Sequence, residues 1–279
     1  AGCTVRIGSN DGADSFANTY MDDLAIWHQV LDANQVATIA WLNRKGISIQ
    51  RWVENTYSCR QLLELDPTSV DGVYLIKADA AGAVTRPVYC DMTTDGGGWT
   101  MLMKASAGPY TGVGAAELWS NGAVNSADAA LLGRVPALSH YASELITGAG
   151  RWALFREARV EVIDSGAIAA VATFDAFGSS NSSWFAPARY LTPRSRWSDI
   201  AGLSWSAAPG RFFQIPGNRA FYINYVENSC DDQGWLLATH AGTCSYEPSN
   251  ELRILYSPTN SLSSVASMPA ADALVIFAR

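Results

Sequence analysis

Acidic and amide side chains gather around two cysteines in the C-terminal part of the sequence. They are Asn228, Asp231, Asp232, Glu247, Asn250 and Glu251, close to Cys230 and Cys244. A hard cation such as Ca²⁺ takes about six to eight oxygen ligands, which carboxylates and amides supply. The pattern predicts a calcium site, with ligands Asn228, Asp231, Asp232 and Glu247. A solvated acidic loop is the alternative for each residue.

A sugar could complete the shell of such a cation. Two adjacent hydroxyls, or an acetyl or carboxylate group, would bind the metal while aromatic rings pack on the apolar face of the sugar. The predicted ligand-binding residues are Trp235, His240, Tyr246, Glu247 and Asn250. For Trp235, which is flanked by leucines, a place in the core is the alternative, and for His240 a plain surface position is.

Catalytic patterns are sparse. A Ser–His–Asp or Cys–His catalyst would have to use His28, His140 or His240, the three histidines of the sequence. No GxSxG, HExxH or phosphate-loop pattern occurs. Paired carboxylates for glycoside hydrolysis converge only in three dimensions and stay open. We expect a binding protein and not an enzyme.

Charge and hydropathy exclude two classes of partner. The 279 residues include 19 basic and 26 acidic side chains, a net charge of -7, and the basic residues form no run that could follow a phosphate backbone. No apolar stretch approaches the roughly 20 residues of a membrane helix. We therefore expect neither nucleic-acid binding nor membrane insertion. The first residues lack the features of a signal peptide, which is typical of a mature or trimmed chain.

The five cysteines indicate an oxidising compartment. They are Cys3, Cys59, Cys90, Cys230 and Cys244, and none forms a CxxC pair typical of structural zinc sites. Four of them can form two local disulfides, so we expect a secreted, extracellular protein. Cys3 is left over. Its partner could lie in a missing part of a precursor, and a free thiol or a bridge to a second copy is the alternative.

Short apolar runs separated by turn residues must position these side chains. Residues 5–8, 21–27, 159–163, 169–174, 220–224 and 274–277 read as strands, and 32–41, 128–132 and 140–146 as helices. Residues 179–185 read as an exposed loop, whose Trp184 and Phe185 are secondary candidates for ligand contact. The pattern predicts an α+β fold with much irregular loop.

The first forty residues resemble the end of a jelly-roll domain. The phrase Asp22-Asp23-Leu24-Ala25-Ile26-Trp27, followed by residues 31–36, is similar to the closing hairpin and helix of laminin-G and concanavalin-like domains. This resemblance implies that residues 1–48 are the C-terminal portion of such a domain, a short β/α segment. An N-terminal decoration on the next domain is the alternative.

The second unit begins near Tyr57 and contains the most specific motif. Ser58 precedes a short helix, and Cys90-Asp91-Met92-Thr93 is followed by Gly96-Gly97-Gly98-Trp99-Thr100. This phrase resembles the opening of fibrinogen-like domains and of their intelectin (X-type lectin) relatives. The last nine residues, 271–279, are similar to the terminal strand of intelectins. Residues 57–279 are thereby identified as a fibrinogen-like or intelectin-like domain.

The resemblance implies a set of sites and a function. It pairs Cys59 with Cys90 and Cys230 with Cys244, and it suggests a second cation held by Asp95 and Gly97, for which a structural turn is the alternative. It implies a calcium-dependent lectin that binds glycans at the cell surface or in extracellular polysaccharide. An adhesive or structural protein that binds a protein partner or self-assembles is the rival prediction. Cys3 leaves open a link to the missing part of a precursor or a homo-oligomer.

Overall fold

The computed structural model describes residues 33–47, 52, 56–77, 85–109, 112–121, 133–134, 140–148, 150–203, 213–228 and 230–279. Within these ranges the fold is mostly β-sheet, with few helices and two disulfides. The helices are α1 (Ala33–Lys45), α2 (Cys59–Leu65) and α3 (Ala115–Asn121). The strands are β1 (Gly72–Lys77), β2 (Thr85–Asp91), β3 (Trp99–Ser106), β4 (Gly108–Pro109), β5 (Tyr141–Ala142), β6 (Glu157–Asp164), β7 (Ala167–Asp175), β8 (Phe213–Gln214), β9 (Arg219–Val226), β10 (Gln233–Thr239), β11 (Glu251–Tyr256), β12 (Ser263–Ser264), β13 (Ala270–Ala271) and β14 (Ala273–Ala278).

The strands form two sheets. The first has the order β1-β2-β3-β14-β6-β7, with β5 paired to β3. The second has the order β13-β11-β10-β9-β8, with β12 paired to β10 and β4 to β11. Neighbouring strands of both sheets run antiparallel. The last strand of the chain, β14, therefore lies in the middle of the first sheet, between β3 and β6.

Both faces of the first sheet are covered. On β14, Leu274 and Ile276 join the main hydrophobic core, which the sheets share with α2 and α3. Val275 and Phe277 point to the opposite face and pack with Trp99 in a second, smaller cluster. Successive side chains of a strand alternate between faces. A strand buried on both faces is apolar throughout, as the sequence of β14 is.

Most of the predicted elements in the described ranges are confirmed. The strands predicted at 159–163, 169–174, 220–224 and 274–277 lie within β6, β7, β9 and β14. The helix predicted at 32–41 corresponds to α1, and the short helix after Ser58 is α2. Ser58 caps α2 by accepting a hydrogen bond from the Gln61 backbone N–H. The elements predicted at 5–8, 21–27 and 128–132 lie outside the described residues.

Two local predictions were wrong. Residues 140–146 are not a helix, because Tyr141 and Ala142 form β5 against β3 and the Ser143 N–H donates to the Leu102 carbonyl. Trp184 and Phe185 are not exposed, since 0% and 3% of their surfaces are accessible. They lie in a cluster of aromatic side chains, and their ring centroids are 5.4 Å apart. The free energy gained by burying these large rings outweighs the preference of the polar loop residues for solvent.

Four consecutive residues at the glycine motif have left-handed backbones. The φ angles are 53° at Asp95, 85° at Gly96, 70° at Gly97 and 76° at Gly98. A Cβ on Gly97 would lie 2.0 Å from the Met92 carbonyl oxygen. One on Gly98 would lie 2.9 Å from the Arg60 Cα at the start of α2. The glycines therefore allow this turn to pack directly against α2 and the end of β2.

Replacing Gly97 with alanine should destabilise the fold by roughly 3 kcal/mol or more, because the methyl group adds a backbone clash to the cost of a left-handed conformation. Gly166→Ala is the matched control, since Gly166 has a similar φ of 76° and nothing within 4 Å of its Cβ position. It should cost only about 1 kcal/mol. Urea unfolding measures both. Equal losses in the two variants would contradict the packing role of Gly97.

A buried ionic network spans the second face of the first sheet. Asp91 Oδ2 lies 2.6 Å from Arg159 Nη2 and also pairs with Arg134. Glu161 bonds the same two arginines, at 2.6 Å from Arg134 Nε and 2.8 Å from Arg159 Nη2. Both carboxylates have no exposed surface. Two guanidinium groups balance them, so the network is electrically neutral.

Stability should depend on Asp91 at acidic pH. Burial raises the pKa of Asp91, but hydrogen bonds from the Thr94 N–H, Arg134 and Arg159 outweigh it and lower the pKa from 3.8 to about 2. A depressed folded-state pKa means that this contribution is complete above pH 4 and disappears as the pH falls through about 2. The difference in unfolding free energy between wild type and Asp91→Asn should therefore narrow by about 2 kcal/mol over that range. A pH-independent difference would contradict this assignment.

Candidate functional site

The second disulfide joins the segment before β10 to the loop after β10. Cys230 and Cys244 are bonded, with their Cα atoms 5.3 Å apart, as predicted from the sequence. The first predicted pair, Cys59 and Cys90, is also bonded. Cys230 is exposed, whereas Cys244 has only 6% of its surface accessible. The predicted calcium and sugar ligands lie around this second disulfide.

An arginine occupies the centre of the predicted calcium site. Arg219 is the first residue of β9, and its side chain is 18% exposed. Its Nη1 lies 2.8 Å from Asp232 Oδ2, and its Nε lies 2.6 Å from Glu247 Oε1. The exposed Glu227 approaches the same guanidinium at 3.2 Å. Arg219 thus supplies the positive charge that the acidic cluster requires.

The oxygens of the two buried carboxylates are bonded within the protein. Asp232 Oδ1 accepts a 2.8 Å hydrogen bond from the Asn228 N–H, and its Oδ2 also accepts one from the Tyr246 hydroxyl. Glu247 Oε1 accepts from Thr239, and Oε2 accepts from the Cys244 N–H at 3.1 Å. Every carboxylate oxygen therefore has a donor before any metal is considered.

The electrostatics follow from these contacts. Burial raises the pKa of Glu247, but the hydrogen bonds and charge of Arg219, with the Cys244 N–H, outweigh it and hold the pKa below its ordinary value. Burial and the hydrogen bond to Asp232 raise the pKa of Tyr246 well above its ordinary value. Glu247 thus stays ionised and Tyr246 stays a hydrogen-bond donor at neutral pH.

These residues do not fit a calcium ion in the arrangement observed. Ca²⁺ needs several oxygens free to converge on one point, whereas Asp232 and Glu247 converge on a guanidinium. Of the other predicted ligands, Asn228 and Asp231 have exposed side chains at the rim. In the described part of the chain, no group of three or more His, Cys, Asp or Glu side chains is arranged to hold a metal ion.

The predicted second cation position is likewise bonded to arginine. Asp95 Oδ2 pairs with Arg194, and Arg279 Nη1 donates to the Asp95 carbonyl at 2.6 Å and to the Gly97 carbonyl at 3.1 Å. Glu157 bonds both Arg194 and Arg279. The glycine turn therefore presents its oxygens to guanidinium groups.

The predicted sugar-binding aromatics lie inside the protein. Trp235 is 1% exposed, and its Nε1 donates to Asp199 at 3.0 Å. Tyr246 is 4% exposed and His240 is 3% exposed. Asn250, by contrast, has an exposed side chain. The structure thus brings Tyr246, Asp232 and Glu247 together around Arg219, buries His240, and leaves Asn228, Asp231 and Asn250 at the surface.

Sequence reasoning missed an exposed aromatic residue at the end of β7. Phe177 has 58% of its surface accessible, and the Arg156 guanidinium carbon lies 4.0 Å from its ring centroid. The Phe177 N–H donates to Asp175 and to the Arg156 carbonyl, and Arg189 donates to the Phe177 carbonyl at 3.0 Å. These bonds fix the loop that presents the ring.

A groove adjoins this aromatic residue. Its volume is about 660 Å³, and its lining includes Arg60, Leu63, Pro67, Gly97, Arg156 and Arg279. Glu64 and Glu157 also line it, but they pair with Arg60 and with Arg194 and Arg279. Arg156 forms no ion pair with any described residue. The surface of Phe177, Arg156 and this groove is called the Phe177 surface below.

Comparison with known proteins bears on the residues around the first disulfide. Residues 56–122 match the model of the family "Fibrinogen beta and gamma chains, C-terminal globular domain". This segment is similar to the corresponding part of that domain. The match includes the Cys59–Cys90 disulfide and the glycine turn that carried the resemblance. Fibrinogen-like domains are typically extracellular and involved in protein interactions.

Two solved structures are also similar. One is the fibrinogen-like globe domain of human ANGPTL2, with 15% identity, a TM-score of 0.41, and coverage of 80% of this chain and 98% of that chain. The other is the same domain of human ANGPTL6, with 13% identity, a TM-score of 0.35, and coverage of 80% and 95%. The intelectin resemblance, the laminin-G resemblance of residues 1–48 and the boundary at residue 57 remain predictions. No helix among the described residues is long and apolar enough to cross a membrane.

Removing the guanidinium of Arg219 should destabilise the folded state. Arg219→Met leaves two buried carboxylates without a counter-charge, and we expect a loss of about 3–5 kcal/mol in the free energy of unfolding. Arg253→Met is the matched control, because Arg253 pairs with Glu251 at 3.3 Å with both side chains at least one third exposed. The control should lose less than about 1 kcal/mol. Similar losses in both variants, measured in urea, would show that Arg219 is merely a surface ion pair.

Proposed function

We propose that this chain is an extracellular, non-enzymatic binding domain that recognises a protein partner through the Phe177 surface. Three observations support it: the fibrinogen-like match of residues 56–122, the two disulfides and the exposed, preordered pair of Phe177 and Arg156. The last of these carries the proposal. Disulfides persist in oxidising compartments, which favours an extracellular location.

The chemistry of the Phe177 surface favours a protein ligand. Aromatic and arginine side chains are enriched at protein interfaces, and they favour binding most when they are already held in place. The Phe177 loop meets this condition, because backbone hydrogen bonds and Arg189 hold it before a partner arrives. Little conformational entropy would then be lost on binding.

Charge indicates which kind of protein segment would bind. The chain has a net charge of -7, yet Arg156 and Arg60 both line the groove and Arg156 lacks a carboxylate partner among the described residues. An acidic segment of a partner could supply that carboxylate to Arg156 and place an apolar side chain against Phe177. The proposed occupant is therefore an acidic protein segment with an apolar anchor.

A calcium-dependent lectin is the second candidate. It is favoured by the exposed oxygen-bearing side chains of Asn228, Asp231 and Asn250 at the rim of the disulfide loop. Calcium and a glycan ligand both belong to this candidate. Against it stand the buried positions of Trp235 and Tyr246 and the bonds from Arg219 to the buried carboxylates.

Binding arrays separate the two candidates. The chain is tested against purified extracellular proteins and against glycans, each in calcium and in excess chelator. We expect selective protein binding that chelator does not affect and that raised salt weakens. Phe177→Ala and Arg156→Ala should each raise the Kd by roughly thirtyfold, or about 2 kcal/mol.

Ile168→Ala is the control, because Ile168 is 41% exposed near the start of β7, whereas Phe177 follows the end of that strand. It should bind normally. Glycan binding that disappears with chelator and in Glu247→Gln, while Phe177→Ala binds normally, would overturn the proposal and establish the lectin. Failure to bind any protein selectively would also reject it.

A further inference from the structure

The two disulfides have different surroundings. Cys59 and Cys90 have no exposed surface, so the bond between them is shielded from solvent on both sides. In the second disulfide, Cys230 is exposed and Cys244 is buried. Thiol–disulfide exchange requires a thiolate to reach one sulfur along the line of the bond. Only the second disulfide offers an approach of this kind, at Cys230.

The buried end of the second disulfide contacts a cation. Arg219 Nη2 lies 3.4 Å from Cys244 Sγ. When a disulfide is attacked, one sulfur leaves as a thiolate, and a nearby positive charge stabilises that leaving group and speeds the exchange. Attack at Cys230 makes Cys244 the leaving group. The guanidinium is therefore placed at the sulfur where negative charge would develop.

We propose that Cys230–Cys244 is an exchangeable disulfide and that Cys230 is a site of covalent modification by thiols. An incoming thiolate forms a bond to Cys230 Sγ as the Cys230–Cys244 bond breaks, and the electron pair of the broken bond stays on Cys244 Sγ. The product is a mixed disulfide at Cys230 and a thiolate at Cys244 beside Arg219. No oxidant or reductant beyond the thiol is needed.

The surrounding contacts make this step reversible. Tyr246 remains bonded to Asp232, and Glu247 remains bonded to Arg219 and to the Cys244 N–H, none of which requires the disulfide. The loop is therefore held after the bond breaks. Cys244 stays close to Cys230 and can attack the mixed disulfide to release the thiol again.

Charges at the rim select the incoming thiol. Glu227 and Asp231 have exposed side chains near Cys230, whereas Arg219 contacts the buried sulfur of Cys244 at the other end of the bond. The local surface is therefore negative. A cationic thiol should react faster than an anionic one at low ionic strength, and salt should reduce the difference.

The thiolate has two possible sources. One is a soluble thiol, and the other is Cys3 of a second copy of the chain, which the pairing of the other four cysteines leaves over. Exchange with Cys3 would link two copies through Cys230. Cys3 itself lies outside the described residues.

Peptide mapping by mass spectrometry after an acid quench tests the proposal. The folded chain is treated with cysteamine, a cation, or glutathione, an anion. We expect the adduct on Cys230, a free thiol on Cys244 and an intact Cys59–Cys90 bond. Cysteamine should react faster, and the doubly substituted Glu227→Gln, Asp231→Asn chain should lose most of that preference. Adducts on Cys244, equal cleavage of both disulfides or no adduct under native conditions would overturn the proposal.

The leaving-group role of Arg219 has its own test. Arg219→Met should slow exchange about tenfold, whereas Arg219→Lys, which keeps a charge, should stay close to wild type. If Arg219 only held the loop closed, its removal would expose the bond and accelerate exchange instead. Arg253→Met is the control and should not change the rate. Faster exchange in folded Arg219→Met would overturn the role assigned to the guanidinium.

Non-reducing electrophoresis distinguishes the sources of thiol. Linked dimers that form without added thiol and disappear in Cys3→Ser and in Cys230→Ser would identify Cys3 of a second copy. Adduct formation that needs added thiol and is unchanged in Cys3→Ser would identify soluble thiols. Both outcomes support exchange at Cys230. Dimers that persist in Cys230→Ser would contradict it as the point of linkage.

Discussion

A carboxylate is stable inside a protein only when hydrogen bonds and a positive charge compensate for the loss of water. Among the residues that the structure describes, arginine supplies that charge in the three groups that follow. Arg134 and Arg159 bond Asp91 and Glu161, Arg194 and Arg279 bond Glu157 and the glycine turn, and Arg219 bonds Asp232 and Glu247. Each group joins segments far apart in the sequence. This constraint determines which acidic residues are left for binding.

Arg219 also explains how the acidic residues near the Cys230–Cys244 disulfide are held in place. Arg219 begins β9, Asp232 precedes β10 and Glu247 lies in the loop after β10. One guanidinium thus holds three segments of the second sheet, and the disulfide closes a separation of 14 residues beside it. The disulfide reduces the conformational freedom of the unfolded chain, whereas the ion pairs stabilise the folded state. Both therefore stabilise the same loop, by different physical means.

Sequence patterns predicted the strands better than the site. Apolar runs identified β6, β7, β9 and β14 because the apolar side chains of a buried strand lie close together in the sequence. The glycine motif identified the fibrinogen-like segment because left-handed residues packed against α2 admit only glycine. The same reasoning grouped Asp232 and Glu247 as ligands of one cation, and in the structure both bond one guanidinium. It could not assign them to Arg219, which is 28 residues from Glu247, since nothing local distinguishes a paired carboxylate from a free one.

Burial of the acidic residues has a further consequence for recognition. A carboxylate already bonded to a guanidinium must lose that partner before it binds another, and this cost weakens any ligand that depends on it. An exposed guanidinium with no ion pair loses only water, and the Phe177 ring beside Arg156 is already in place. The side chains of the Phe177 surface can therefore contact a ligand without losing an ion pair. At the disulfide loop the buried carboxylates already bond Arg219. The proposed chemistry at that loop depends instead on the disulfide between the exposed residue Cys230 and the buried Cys244.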